Sequence, residues 1–139
     1  MTMRALTLIR PWCWAIMHAG KDCENRSWPP MERLLGSRIA IHSGLKYADG
    51  AAGAIDGLTE LGNAPRDEEW PGGRIVGTVR VDGWVESIGG IFDWQGIARA
   101  EAVKAARSPW FIGPIAWALS SPIALAEPVP CKGALGAWK

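Results

Sequence analysis

The sequence predicts an α+β fold, mainly β. About five to six short strands, with two to three flanking helices, close most simply into a small β-barrel. Three observations carry this expectation. Arg74 to Val81 (RIVGTVRV) is dense in β-branched residues, which fit a pleated, half-buried surface. Arg4 to Arg10 (RALTLIR) and Arg38 to His42 (RIAIH) alternate, with Leu6 and Leu8 on one face and Ile39 and Ile41 on another. Short helical stretches at 11–19, 50–61 and 97–107 supply the flanking helices.

In chain order, residues 4–10 predict the first strand. Pro11 stands where prolines start helices and Gly20 where glycines stop them, so 11–19 predicts a short helix with His18 in its favoured last turn. Residues 22–28 read as extended, with Asp22, Glu24 and Arg26 on one face and Cys23 and Asn25 on the other. Pro29-Pro30 breaks the chain before the strand at 38–42. Residues 50–61 carry a weak helical period, and 63–73 (NAPRDEEWPGG) are a polar, proline-punctuated loop. Gly77 inside the 74–81 strand predicts a bulge or a close backbone approach. Residues 87–96 read as loop, 97–107 (IARAEAVKAAR) as helix, and 115–119 and 123–126 as two further strands. The tail is turn chemistry ending in an anchoring Trp138.

The chain of 139 residues is long enough for one domain with its own core, and no linker, repeat or low-complexity segment divides it. No apolar run reaches membrane-spanning length and the N-terminus lacks a signal-peptide pattern, which points to the cytoplasm and to no membrane partner. Cys13, Cys23 and Cys131 are an odd number without a CxxC or His pairing, so neither a disulfide framework nor a zinc site is expected, and nothing else in the sequence calls for a metal or another cofactor. The net charge of +1 divides into +3 over residues 1–50, −4 over 51–100 and +2 over the remainder. A basic N-terminal portion suits an anionic partner, but the small net charge argues against strong capture of long duplexes. Nine Trp against one Tyr and two Phe is an unusual aromatic load. Trp84, Trp117 and Trp138 are expected in the core, and one or two others are available as stacking platforms for bases.

The densest chemistry lies in Arg10-Pro11-Trp12-Cys13-Trp14 and Gly20-Lys21-Asp22-Cys23-Glu24-Asn25-Arg26-Ser27-Trp28. Arginine offers a planar fork for phosphate or a base edge, and lysine a point charge. A carboxylate between them accepts from an exocyclic amine, holds the cations or acts as a base. Arg10 and Lys46 extend the positive lining, His42 and Ser43 add a donor and a hydroxyl, and Trp12, Trp28 and Trp110 are candidate walls. Each has a plainer explanation beside the functional one. Glu24 and Arg26 make an ordinary strand pair, Lys21 a solvated helix-end cation, His42 a hydrogen-bonded edge residue, and most Trp simply core.

The ordered set ALTLIRPWCWAI (5–16), GKDCENRSW (20–28), RIAIHSG (38–44), GRIVGTVRVDGWV (73–85), WFIGPIAWAL (110–119) and LAEPVPCKGALGAW (125–138) resembles the ASCH (activating signal cointegrator homology) family of the PUA-like superfamily. The resemblance spans the chain end to end. It implies a PUA-like β-barrel that binds RNA, other single-stranded nucleic acid or a modified nucleotide in a cleft beside the first helix. Lys21, Glu24 and Arg26 fall on the family's G-K-x-x-E-x-R pattern. The chain departs from common family wording at Arg10, where Gln is usual, and at Pro29–Arg33. The family also implies an alternative, a metal-independent hydrolase. In its amidohydrolase branch, which acts on modified nucleosides, a threonine nucleophile stands three residues after the lysine. Here that position is Glu24, so that activity does not carry over. Ribonuclease chemistry asks only for a lysine with a carboxylate or histidine near a 2′-hydroxyl, which Lys21 with Glu24 or His42 would supply.

Overall fold

A computed structural model describes residues 3–66, 69–89, 91–133 and 137–138. Its elements are β1 (Ala5–Arg10), α1 (Trp12–His18), β2 (Cys23–Arg26), a 3-10 turn (Glu32–Leu34), β3 (Arg38–Tyr47), α2 (Ala51–Thr59), β4 (Arg74–Ile88), β5 (Ile91–Gln95), α3 (Arg99–Ala106), β6 (Ile115–Pro130) and β7 (Ala137–Trp138). The fold is mixed α+β and mainly strand. Hydrogen bonding orders the strands β2-β6-β4-β3-β1-β7, with β5 paired to β4 off that path. This path is open among the described residues, where the sequence led to a closed barrel. No helix of the described residues is long and apolar enough to cross a membrane.

Two compact units are distinguishable, one of residues 1–21, 39–78 and 122–139, the other of 22–38 and 79–121. In the first, β1 runs parallel to β3, with Leu6 opposite Ile41 and Leu8 opposite Ser43. Parallel neighbours need a long crossover, and here α1 lies in it. Leu6, Leu8, Cys13, Ile16, Ile39, Ile41 and Ile55 are buried together in this unit's core. Gly77 shows the close approach its place in a strand predicts: a Cβ there would lie 2.5 Å from the Ile123 carbonyl oxygen and would also collide with Met17 Sδ.

Helix α2 is tied to the loop after it by one carboxylate. Asp56 Oδ1 accepts from the Ala64 N–H at 2.9 Å, and Arg66 Nη1 donates to Oδ2 at 3.1 Å. The Ala64 N–H is the main cause holding the Asp56 carboxyl below its ordinary 3.8, with Arg66 adding to it. A carboxyl depressed on folding stabilises the protein above its unfolded pKa and loses that contribution as pH falls through the folded value. Asp56→Ala is therefore expected to lower Tm at neutral pH, and its deficit should shrink as the pH is taken below 3.8 in a thermal-unfolding series.

The second unit takes the first part of β6, residues 115–121. Strand β2 pairs antiparallel with it, placing Cys23 opposite Ala118, Glu24 opposite Trp117 and Arg26 opposite Ile115. Val79, Val81, Val85, Cys23, Ala102, Ile115, Ala116 and Trp117 form its core.

Three sequence expectations are corrected. Residues 87–96 are not a loop: β5 pairs with β4 as a hairpin, Val85 opposite Trp94 and Ile88 opposite Ile91, across a turn entered by Gly89 at φ +54. The two strands expected at 115–119 and 123–126 are one, β6, which absorbs its Ser-Ser-Pro break by placing Ser121 at φ +52. Trp84 is half-buried rather than core, because strand alternation puts it with Arg80, Asp82 and Glu86 on the face opposite Val79, Val81 and Val85. The side chain of Trp138, expected as an anchor, lies outside the described residues.

Candidate functional site

In the first unit, α1 ends where the sequence says it should. Gly20 adopts φ +77, and this left-handed turn brings the Lys21 N–H back to the Ala15 carbonyl at 3.1 Å. Lys21 is thereby tucked in, only 6% exposed, with its ammonium 5.9 Å from the centre of the Trp12 indole. A lysine so withdrawn from water needs compensation, and an aromatic face supplies part of it.

Arg10, His42 and Ser43 of this unit are engaged with its own backbone. Arg10 donates through Nη1 to the Trp70 carbonyl at 3.1 Å and through Nη2 to the Leu45 carbonyl at 2.8 Å, while its guanidinium stands 5.9 Å from the Tyr47 ring centre. It clips the end of β1 to β3 and to the loop before β4. His42 is 2% exposed, with Nε2 2.6 Å from the Cys131 carbonyl and Nδ1 3.1 Å from Thr7 Oγ1. A carbonyl only accepts, so Nε2 carries a proton and donates it there, and Nδ1 is engaged by the threonine hydroxyl. Ser43 is fully buried and donates to the Pro71 carbonyl at 3.4 Å. Lys46 is exposed on β3.

Cys13, between Trp12 and Trp14, has its thiol pushed up to about 11, chiefly by burial. At pH 8 only about one thiol in a thousand is then thiolate. Iodoacetamide should accordingly label half-exposed Cys131 in the native protein and leave Cys13 and Cys23, both buried, for the unfolded chain.

In the second unit, the two-residue period of β2 puts Glu24 and Arg26 on one face, and Arg26 Nε meets Glu24 Oε2 at 3.0 Å. Glu24 is 9% exposed. The Arg26 guanidinium lies 5.7 Å from the centre of the Trp28 indole. Trp28 is exposed yet held: its ring meets Trp117 edge to face at 5.3 Å, and its carbonyl accepts from Trp117 Nε1 at 3.0 Å. Carboxylate, guanidinium and indole thus form a graded series from buried to exposed. Trp110 is buried, and its carbonyl accepts from Asn25 Nδ2 at 3.0 Å.

Two supporting residues were not singled out as such by sequence reasoning. Asn25 brackets the loop before β6, donating to Trp110 and accepting through Oδ1 from the Ile112 and Gly113 N–H groups at 2.8 and 2.9 Å. An asparagine inside a strand is disfavoured, and that was the available signal. Trp117 is the buttress of Trp28, a pairing with no signature in sequence. No family model matches the chain, and no curated protein matches it.

Proposed function

We propose that this chain is a cytosolic single-strand RNA- or nucleotide-binding module of the ASCH type, its strands closing into a small PUA-like barrel. The observation that carries the proposal is the Glu24–Arg26–Trp28 series. The exposed indole, fixed from behind by Trp117, is a stacking surface for a base, and stacking is worth about 1–3 kcal/mol per base. The guanidinium beside it donates to a base edge or a phosphate, and the carboxylate accepts from an exocyclic amine and holds the guanidinium in plane. The buried Lys21 over Trp12 is a second cation–aromatic pair at a position of the G-K-x-x-E-x-R pattern. Binding is favoured over hydrolysis because His42, a base the hydrolytic alternative draws on, has both ring nitrogens bonded within the protein.

The test is incubation of the protein with single-stranded RNA and with a panel of acylated and alkylated nucleosides, followed by mass spectrometry of ligand and product. Retained ligand without turnover is the expected result. Turnover that is lost in Lys21→Ala would replace the binding module with a hydrolase.

A further inference from the structure

Helix α3 docks through Ala102, which is fully buried. Ala100, Val103, Lys104 and Arg107 follow one another at i, i+3, i+4 and i+7 and so share the opposite stripe. That stripe is one wall of an open groove of about 430 Å³, completed by Asp22, Ser108 and Pro109. Ala100 and Val103 give the groove an apolar lining, and Lys104 and Arg107 give it positive charge. Its one carboxylate, Asp22, accepts from the Ser108 hydroxyl at 2.6 Å.

The groove is registered to β2. Ser108 bonds Asp22, and two residues later the Trp110 carbonyl is held by Asn25, so the loop carrying one groove wall is fastened at two points to the segment that carries Glu24 and Arg26. At about 3.3 Å per residue, Asp22 and Arg26 are at most about 13 Å apart along the chain. That span is well inside the footprints of about 4–16 nucleotides that single-strand binding folds use.

We propose that this α3 groove holds backbone phosphates of the single-stranded nucleic acid whose base stacks on Trp28, with Lys104 and Arg107 as the phosphate contacts. The inference rests on the binding function proposed above and extends it from a base-stacking point to a strand-binding track. Phosphate contacts position a strand without reading its sequence. They also release counterions, which gives each a salt-dependence of its own.

The experiment titrates an oligoribonucleotide of about eight nucleotides into wild type and into the Lys104→Ala/Arg107→Ala double variant across a salt series. Wild type should lose affinity with salt, and the double variant should have a log–log slope shallower by about 1.4, or about 0.7 per contact. Its affinity at low salt should be about tenfold weaker. The charge-keeping Lys104→Arg/Arg107→Lys pair should restore the slope. Inorganic phosphate and an unphosphorylated nucleoside form the remaining arms. If inorganic phosphate binds wild type and not the double variant while RNA fails to displace it, the groove is a free-phosphate site and the track is overturned. If both proteins bind RNA with equal slopes, the track is overturned while binding at Trp28 stands. If wild type binds neither nucleoside nor RNA, the underlying function falls and the track falls with it.

Discussion

Truncation of Trp117 to alanine is expected to destabilise the protein by about 3–5 kcal/mol. At this chain length that is a fall in Tm of at least about 10 °C. Trp117 has no exposed surface and lies on β6 directly opposite Glu24, among the core side chains of its unit. Its loss removes the largest fully buried side chain among the described residues and leaves a cavity in the core of its unit. It also removes the indole N–H from the Trp28 carbonyl and the edge-to-face support of the Trp28 ring. Trp117→Phe separates these effects. Phenylalanine keeps most of the apolar volume but donates no hydrogen bond, so its stability loss should be the smaller, about 1–2 kcal/mol. Chemical denaturation of both variants beside wild type is the check. Equal losses for Ala and Phe would mean that the hydrogen bond, not the volume, dominates.

Trp28→Ala has the opposite profile. Trp28 is 40% exposed, so its removal forfeits mainly the aromatic contact with Trp117, about 0.5–1.5 kcal/mol, and a few degrees of Tm. Affinity for single-stranded RNA should fall by about 5- to 150-fold, the equivalent of one stacked base. Trp28→Phe, which retains a smaller π-face, should recover part of that loss. Affinity unchanged in Trp28→Ala would make the exposed indole an ordinary surface residue. Calorimetric titration with RNA and a thermal melt on the same samples read both quantities.

The strands at 4–10, 38–42 and 74–81 and the helix at 11–19 were legible because each carries its own signal: alternation, β-branching, or a proline and a glycine at the ends. The continuation of β3 to Tyr47 was hidden because His42, Ser43 and Gly44 are all buried, and a strand covered on both faces loses its alternation. The β4–β5 hairpin was hidden by its glycines, which read equally as loop. The unity of β6 was hidden because a residue at positive φ between Ser120 and Pro122 lets a strand run on through what looks like a terminator. The site divides along the same line. The Glu24–Arg26 pairing follows from a two-residue spacing and could be read directly. Arg10 could not be assigned, because its partners are the carbonyls of Leu45 and Trp70, and backbone acceptors leave no mark in a sequence. Trp117 is buried as the sequence led one to expect, but nothing in the letters separates Trp28, exposed, from Trp110, buried, both candidate walls; only packing does.

The central claim is that a base of bound RNA rests on Trp28. Ultraviolet crosslinking of the RNA-bound protein, followed by trypsin and mass-spectrometric mapping of the nucleotide adduct, addresses it directly. Cleavage after Arg26 and Arg33 isolates Trp28 as the single aromatic residue of the peptide Ser27–Arg33. The expected result is an adduct on that peptide, lost in Trp28→Ala. An adduct confined to other peptides, formed equally in the variant, would contradict the claim.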